Sequence, residues 1–170
     1  VPITRDFLGF DGDTIDLAGK GWQGVADYNI EKYGEYTKAG AAPAPKAIPT
    51  KGWVSVASND PMLLTYKGKQ HNRTKFADYW LRRDVNVSKE QLPKLKYLNI
   101  ERPGWRSKYC DAYLNGKPLK QMTRDRFEEL TVCFELGDKL RAGKNELVLR
   151  MEGCPPIGFV TLGTLPLRPY

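Results

Sequence analysis

Hydrophobic residues recur at every second position through much of the chain after Trp53, the period expected of half-buried strands. Ala77 to Val87 (ADYWLRRDVNV) sets Tyr79, Leu81, Val85 and Val87 on one face and is rich in aromatic and β-branched residues. Lys96 to Glu101 aligns Leu98 with Ile100, and Lys108 to Leu114 aligns Cys110, Ala112 and Leu114. Phe127 to Leu136 turns Leu130, Val132, Phe134 and Leu136 inward, and Asn145 to Met151 does the same with Leu147, Leu149 and Met151. Gly158 to Leu167 forms a final strand. Asn115-Gly116, between two such runs, is a tight-hairpin signal, because both residues accept positive φ. Short strands separated by turn residues predict an all-β sandwich or barrel. The helical candidates are short: a turn near Asp27 to Tyr33, and one near Asp138 to Arg141 that Gly143 would end.

Residues 1 to about 52 have a different texture, rich in Gly, Ala, Pro and Tyr with little sustained period. Ala39 to Pro49 (AGAAPAPKAIP) cannot be a regular helix, since Pro43, Pro45 and Pro49 each remove a donor and clash with the preceding turn. It is expected to be an extended surface loop; the residues before it are too few for an ordinary core of their own. The 170 residues therefore read as one domain, 1–170, large enough to bury a core without metal or disulfide staples.

Composition narrows the function classes. Hydrophobic residues make up 41% and charged residues 28%, ordinary values for a globular protein. No run approaches the roughly 20 apolar residues of a membrane helix. Val1 opens the chain with no leader-like start, as in a processed or excised piece. The net charge of +7 is uneven: Tyr66 to Lys108 holds 12 Lys and Arg against 4 Asp and Glu, and the remainder holds 15 against 16. Such a segment can attract nucleic acid or an acidic polysaccharide, or be a solvated face. Cys110, Cys133 and Cys154 are odd in number, lack CxxC spacing and have a single histidine, His71, for company; this does not make a zinc site. By parity Cys110 faces the core and Cys133 faces away, which disfavours a bridge between them. Asn72-Arg73-Thr74 and Asn86-Val87-Ser88 match the glycosylation sequon, a pattern common by chance.

With these elements in place a family resemblance emerges. Tyr79-Trp80-Leu81-Arg82-Arg83-Asp84-Val85-Asn86-Val87 resembles the "WYRRxFxV" strand in the N-terminal sugar-binding domain of β-galactosidase and β-glucuronidase type glycoside hydrolases. Tyr97 to Glu101 is similar to that domain's "LxFEGV" strand, and Ala112 to Lys117 to its "xVxLNGK" hairpin. Phe127 and Leu130-Thr131 stand where it has "FxxDxT", and Leu140 to Leu147 resembles "LKxGxNxL". The ordered set covers roughly residues 77 to 165. It implies a galactose-binding-domain-like jelly roll, an all-β sandwich. It also implies an extracellular or periplasmic setting, a polysaccharide or oligosaccharide ligand, and a neighbouring catalytic domain as partner. The segment Arg102-Pro103-Gly104-Trp105-Arg106 departs from the family's loop.

No catalytic constellation stands out. There is no Gly-x-Ser-x-Gly motif or phosphate loop. His71 lies in the polar stretch Lys67 to Lys75 and reads as an exposed loop histidine. Glu101, Asp111 and Glu128-Glu129 lack the context of a sugar-cleaving carboxylate pair. Sugar sites combine aromatic rings with polar groups that satisfy hydroxyls. The candidates of that kind are Trp105 between Arg102 and Arg106, Tyr109 close by, and Trp22, Tyr28, Tyr33 and Tyr36 as a second wall, Trp22 and Tyr36 foremost; Trp53 and Trp80 read as core or sheet-packing residues. Asp11, Asp13 and Asp16 (DGDTID) leave room for a structural calcium ion but lack the closing glutamate of an EF-hand. The expectation is a non-catalytic carbohydrate-binding or accessory module of a polysaccharide-degrading protein. The alternative is a sandwich that braces a neighbouring catalytic domain and binds nothing itself. A nucleic-acid-binding module ranks below both, for want of a matching motif, and a hydrolase in its own right ranks last.

Overall fold

The computed structural model describes residues 14–28, 47–59, 65–66, 69–70, 77–101, 110–122, 131–152 and 157–166. Strands are numbered in chain order. A five-stranded antiparallel sheet runs β1 (Thr14–Asp16), β13 (Val160–Gly163), β7 (Tyr97–Glu101), β11 (Thr131–Glu135), β10 (Lys120–Gln121). A six-stranded antiparallel sheet runs β3 (Val54–Val56), β2 (Trp22–Tyr28), β6 (Ala77–Val87), β12 (Gly143–Glu152), β8 (Cys110–Leu114), β9 (Lys117–Pro118). A short ribbon pairs β4 (Thr65–Tyr66) with β5 (Lys69–Gln70). The two large sheets form the expected β-sandwich.

The core between the sheets follows from the alternation in the sequence. Strand β6 contributes Tyr79, Leu81, Val85 and Val87, and β12 contributes Leu147, Leu149 and Met151. The facing sheet supplies Leu98, Ile100, Val132, Phe134, Val160 and Leu162. Burying each such side chain stabilises the fold by roughly 1.5–3 kcal/mol against leaving it in water. Cys110 is buried in this core. Cys133 is half-buried and pairs with Asn99 in register, on the opposite side of its sheet from Val132 and Phe134. The two cysteines therefore do not face each other, as parity requires.

Local chemistry sets the turns. Asn115 (φ 52°) and Gly116 (φ 79°) join β8 to β9 in the tight two-residue hairpin that Asn-Gly favours. The stretch expected to be helical near Asp138 is instead a turn, closed by a Lys139 N–H to Leu136 C=O bond. Gly143 (φ 89°) opens β12 rather than ending a helix. Among the described residues the only helix is a 3-10 turn, Leu92–Lys94. It is entered through a reciprocal pair, in which the Ser88 N–H donates to Gln91 Oε1 and the Gln91 N–H donates to Ser88 Oγ.

The largest departure from expectation is β2. The helical turn expected from Asp27 begins inside this strand, which pairs Tyr28 with Ala77 and Asp27 with Asp78. Gly24 and Ala26 give it weak strand propensity, but pairing along β6 overrides that preference. The Ala/Pro segment 39–49 falls almost wholly outside the described residues. Of the described part, Ile48 packs against the outer face of the six-stranded sheet.

Candidate functional site

The outer face of the six-stranded sheet has two unlike halves. Side chains at even positions of β6 point to this face: Trp80, then Arg82, Asp84 and Asn86. Around Trp80 the face is buried. Trp80 and Val148 are completely inaccessible, Tyr113 nearly so, and Val25, Ile48 and Trp53 pack against them. The Trp80 and Tyr113 rings lie 6.0 Å apart at a 34° tilt, within the favourable range for aromatic pairs. Arg150 stands in register between Trp80 and Asp111. It is fully buried, with its guanidinium 5.8 Å from the Trp80 ring and its Nη1 donating to Asp111 Oδ2 at 3.1 Å. A buried arginine of this kind is tolerable because its charge is paired. Asp111 thereby balances the buried charge of Arg150.

Two residues further along β6, at Arg82, the face opens. A groove of about 900 Å³ runs over the ends of β2, β3, β6 and β12. Gln23, Ser55, Arg82, Asp84, Lys144 and Glu146 line it together with Lys20 and Gly21 of the turn before β2. Sheet register brings these distant residues side by side: Ser55 opposite Gln23, Gln23 opposite Arg82, and Asp84 opposite Glu146. Arg82 marks the boundary between the two halves. Its guanidinium stacks 4.3 Å from the centre of the Trp53 ring, and its Nε donates to Gln23 Oε1 at 2.8 Å. Trp53 is itself fixed by an indole N–H bond to the Pro49 carbonyl at 3.0 Å. Lys144 and Asp84 pair at 3.0 Å.

The end of the groove is built on the turn before β2. The Leu17 carbonyl accepts two bonds, from Trp22 Nε1 and Arg83 Nη1, each at 2.7 Å. Arg83 also lies 5.5 Å from the Trp22 ring. Gly21 has φ 97°, and a Cβ there would lie 3.5 Å from Arg83 Nη2. A Cβ would make only an ordinary contact there, so what the glycine supplies is the left-handed backbone of the turn. Ser58 Oγ accepts from the Gly19 N–H at 2.8 Å and ties the same turn to the strand on its other side.

This arrangement corrects one sequence expectation. Trp22, taken as part of a sugar-contacting wall, is 1% exposed and belongs to the core. The Gly-rich turn swings it inward, so its ring faces Leu17 and Arg83 and is closed to ligand. Arg102, Trp105, Arg106, Tyr109 and Tyr36 lie outside the described residues, as do Asp11, Asp13, His71 and Glu128-Glu129. Asp16 is exposed and accepts from the Ala18 N–H at 3.0 Å, a local turn bond. Among the described residues no three His, Cys, Asp or Glu side chains cluster as a metal site, and no helix is long and apolar enough to cross a membrane. The groove itself escaped the sequence reading. Its lining residues are spread from Lys20 to Glu146, and only sheet pairing assembles them. The one available signal was the polar run Arg82, Asp84, Asn86 on the solvent parity of β6.

In sequence the chain matches no family model and no curated protein. In structure it is similar to one part of several β-glucuronidases. It superposes on the Ruminococcus gnavus enzyme in complex with D-glucuronic acid with a TM-score of 0.54 at 17% identity, covering 90% of this chain and 23% of that one. The same enzyme without ligand gives 0.51, again at 17% identity, with the same coverage. The β-glucuronidase of an uncultured Clostridium sp. gives 0.50 at 14% identity, covering 89% of this chain and 29% of that one. The chain thus spans less than a third of the length of these enzymes. In fold it is an antiparallel β-sandwich, similar to one segment of the β-glucuronidases.

Proposed function

We propose that the chain is a non-catalytic carbohydrate-binding module of a larger polysaccharide-degrading protein. The observation that carries this is the open polar groove on the outer face of the six-stranded sheet, in a sandwich of the kind that forms one segment of β-glucuronidases. Sugar hydroxyls need donors and acceptors in close alternation. Gln23, Ser55, Arg82, Asp84 and Glu146 supply both kinds along two adjacent cross-strand rows. Because Arg82 covers the Trp53 ring, recognition in this groove works by hydrogen bonding rather than by stacking on that ring. Strand-borne side chains also hold their positions more firmly than loop-borne ones, which lowers the ordering cost of binding.

The second reading is a brace that docks against a catalytic domain and binds no glycan. It is favoured by the chain spanning less than a third of the length of the enzymes it resembles. Affinity electrophoresis through gels of neutral and acidic polysaccharides separates the two. Retardation that the double change Gln23→Ala, Ser55→Ala abolishes supports the groove as a glycan site. Retardation that survives this change but is lost in Trp105→Ala places the glycan on the 102–109 segment instead. Free migration in every gel at low salt rejects the binding reading and leaves the brace.

A further inference from the structure

We infer that the groove selects acidic sugars, with the Arg82 guanidinium receiving a uronate carboxylate. The inference rests on the carbohydrate-binding reading above and names the class of glycan. Arg82 is held from two sides, by the Trp53 ring at 4.3 Å and by Gln23 Oε1 at 2.8 Å. Only Nε is used by the second contact. Among the described residues both Nη groups are without a hydrogen-bond partner, although Arg82 is half-buried and lines the groove. A planar guanidinium fixed by stacking and by Nε, with its paired Nη edge unspent, matches the two oxygens of a carboxylate. A neutral hydroxyl can use only one of those donors and leaves the charge uncompensated.

The charges nearby point the same way. Lys144 is paired with Asp84, and Arg83 gives its Nη1 to a neutral carbonyl, that of Leu17. Lys20 is exposed on the groove's rim. Among the described residues lining the groove, the charges without an opposite partner are therefore Arg82, Arg83 and Lys20 on one side and Glu146 on the other. A surplus of positive charge in a concave, partly desolvated place raises the local concentration of anions and strengthens the contact once made. Glu146 lies beyond Asp84 on the neighbouring strand, where it can accept from the hydroxyls of the same sugar ring.

The test must separate this site from general attraction of a polyanion to a chain of net charge +7. The probe is polygalacturonate, alongside the same polymer after methyl esterification of its carboxylates and a neutral galactan. Titration calorimetry in about 150 mM salt, where the screening length is about 8 Å, reads the affinity. The expected result is binding to polygalacturonate that falls about tenfold or more on esterification, a loss of about 1.4 kcal/mol. Arg82→Gln should bring the same loss. Arg82→Lys keeps the charge without the fork and should recover little of it. Lys117→Gln, which removes one charge from the exposed β8–β9 hairpin, should change nothing. Thermal unfolding of each variant shows that the fold is intact. Equal binding to esterified and free polymer, or full affinity in Arg82→Gln, overturns this inference while leaving the carbohydrate reading standing. Equal losses in Arg82→Gln and Lys117→Gln also overturn it, since charge alone would then explain the binding. No binding to any of the three polymers rejects the carbohydrate reading as well.

Discussion

Asn145 shows how much one side chain can hold. It is fully buried, and its Oδ1 accepts from the Arg141 N–H at 3.0 Å and from Asn115 Nδ2 at 2.9 Å. Its Nδ2 donates to the carbonyls of Arg141 at 2.7 Å and Gly143 at 3.1 Å. Asn115 in turn accepts from the Glu146 N–H at 3.0 Å and donates to the Lys139 carbonyl at 3.0 Å. The asparagines of two sequence motifs 30 residues apart thus form a single network. Asn145→Ala would strand several buried donors and acceptors at once, and each costs about 1–3 kcal/mol when unmet. The variant is expected to lose about 2–3 kcal/mol of stability, read as a lower urea midpoint with unchanged slope. Both residues were visible in the sequence as motif positions, but nothing in the spacing showed that they touch.

At the scale of elements, legibility followed the source of each strand's stability. Strands β6, β7, β8 and β12 alternate apolar and polar residues, and their own sequence announces them. Strand β2 does not, because Gly24 and Ala26 carry little strand signal, and it exists through pairing with β6. The groove was illegible for the same reason, being a product of pairing between strands far apart in the chain. The hairpin between β8 and β9 is the opposite case, fully specified by two residues. Gly116 holds φ 79° with open space where a Cβ would sit, so the cost of a side chain there is backbone strain alone. Gly116→Ala is expected to lower stability by about 1 kcal/mol, in line with the penalty of a left-handed conformation for an ordinary residue. Equilibrium denaturation checks this, and the hydrogen bonds from the Asn115 side chain should persist in amide exchange.

For the molecule as a whole, the inner faces of the two sheets share one contiguous core. Leu149 is completely buried on the strand that pairs with both β6 and β8. Leu149→Ala is expected to cost about 2–5 kcal/mol, as lost burial and a cavity, and to shift far-ultraviolet and fluorescence transitions together. Separate shifts in the two signals would show that the sheets unfold independently. The strand order carries a further consequence, for synthesis. In each large sheet a late strand is inserted between two earlier ones, β12 between β6 and β8, and β13 between β1 and β7. A nascent chain leaving the ribosome therefore displays β6 and β8 as open edges until residue 152 has emerged, and unpaired edges recruit foreign strands. Neither large sheet can close before its late strand has emerged, so both keep unpaired edges open to chaperones and to aggregation until β12 and β13 have been synthesised.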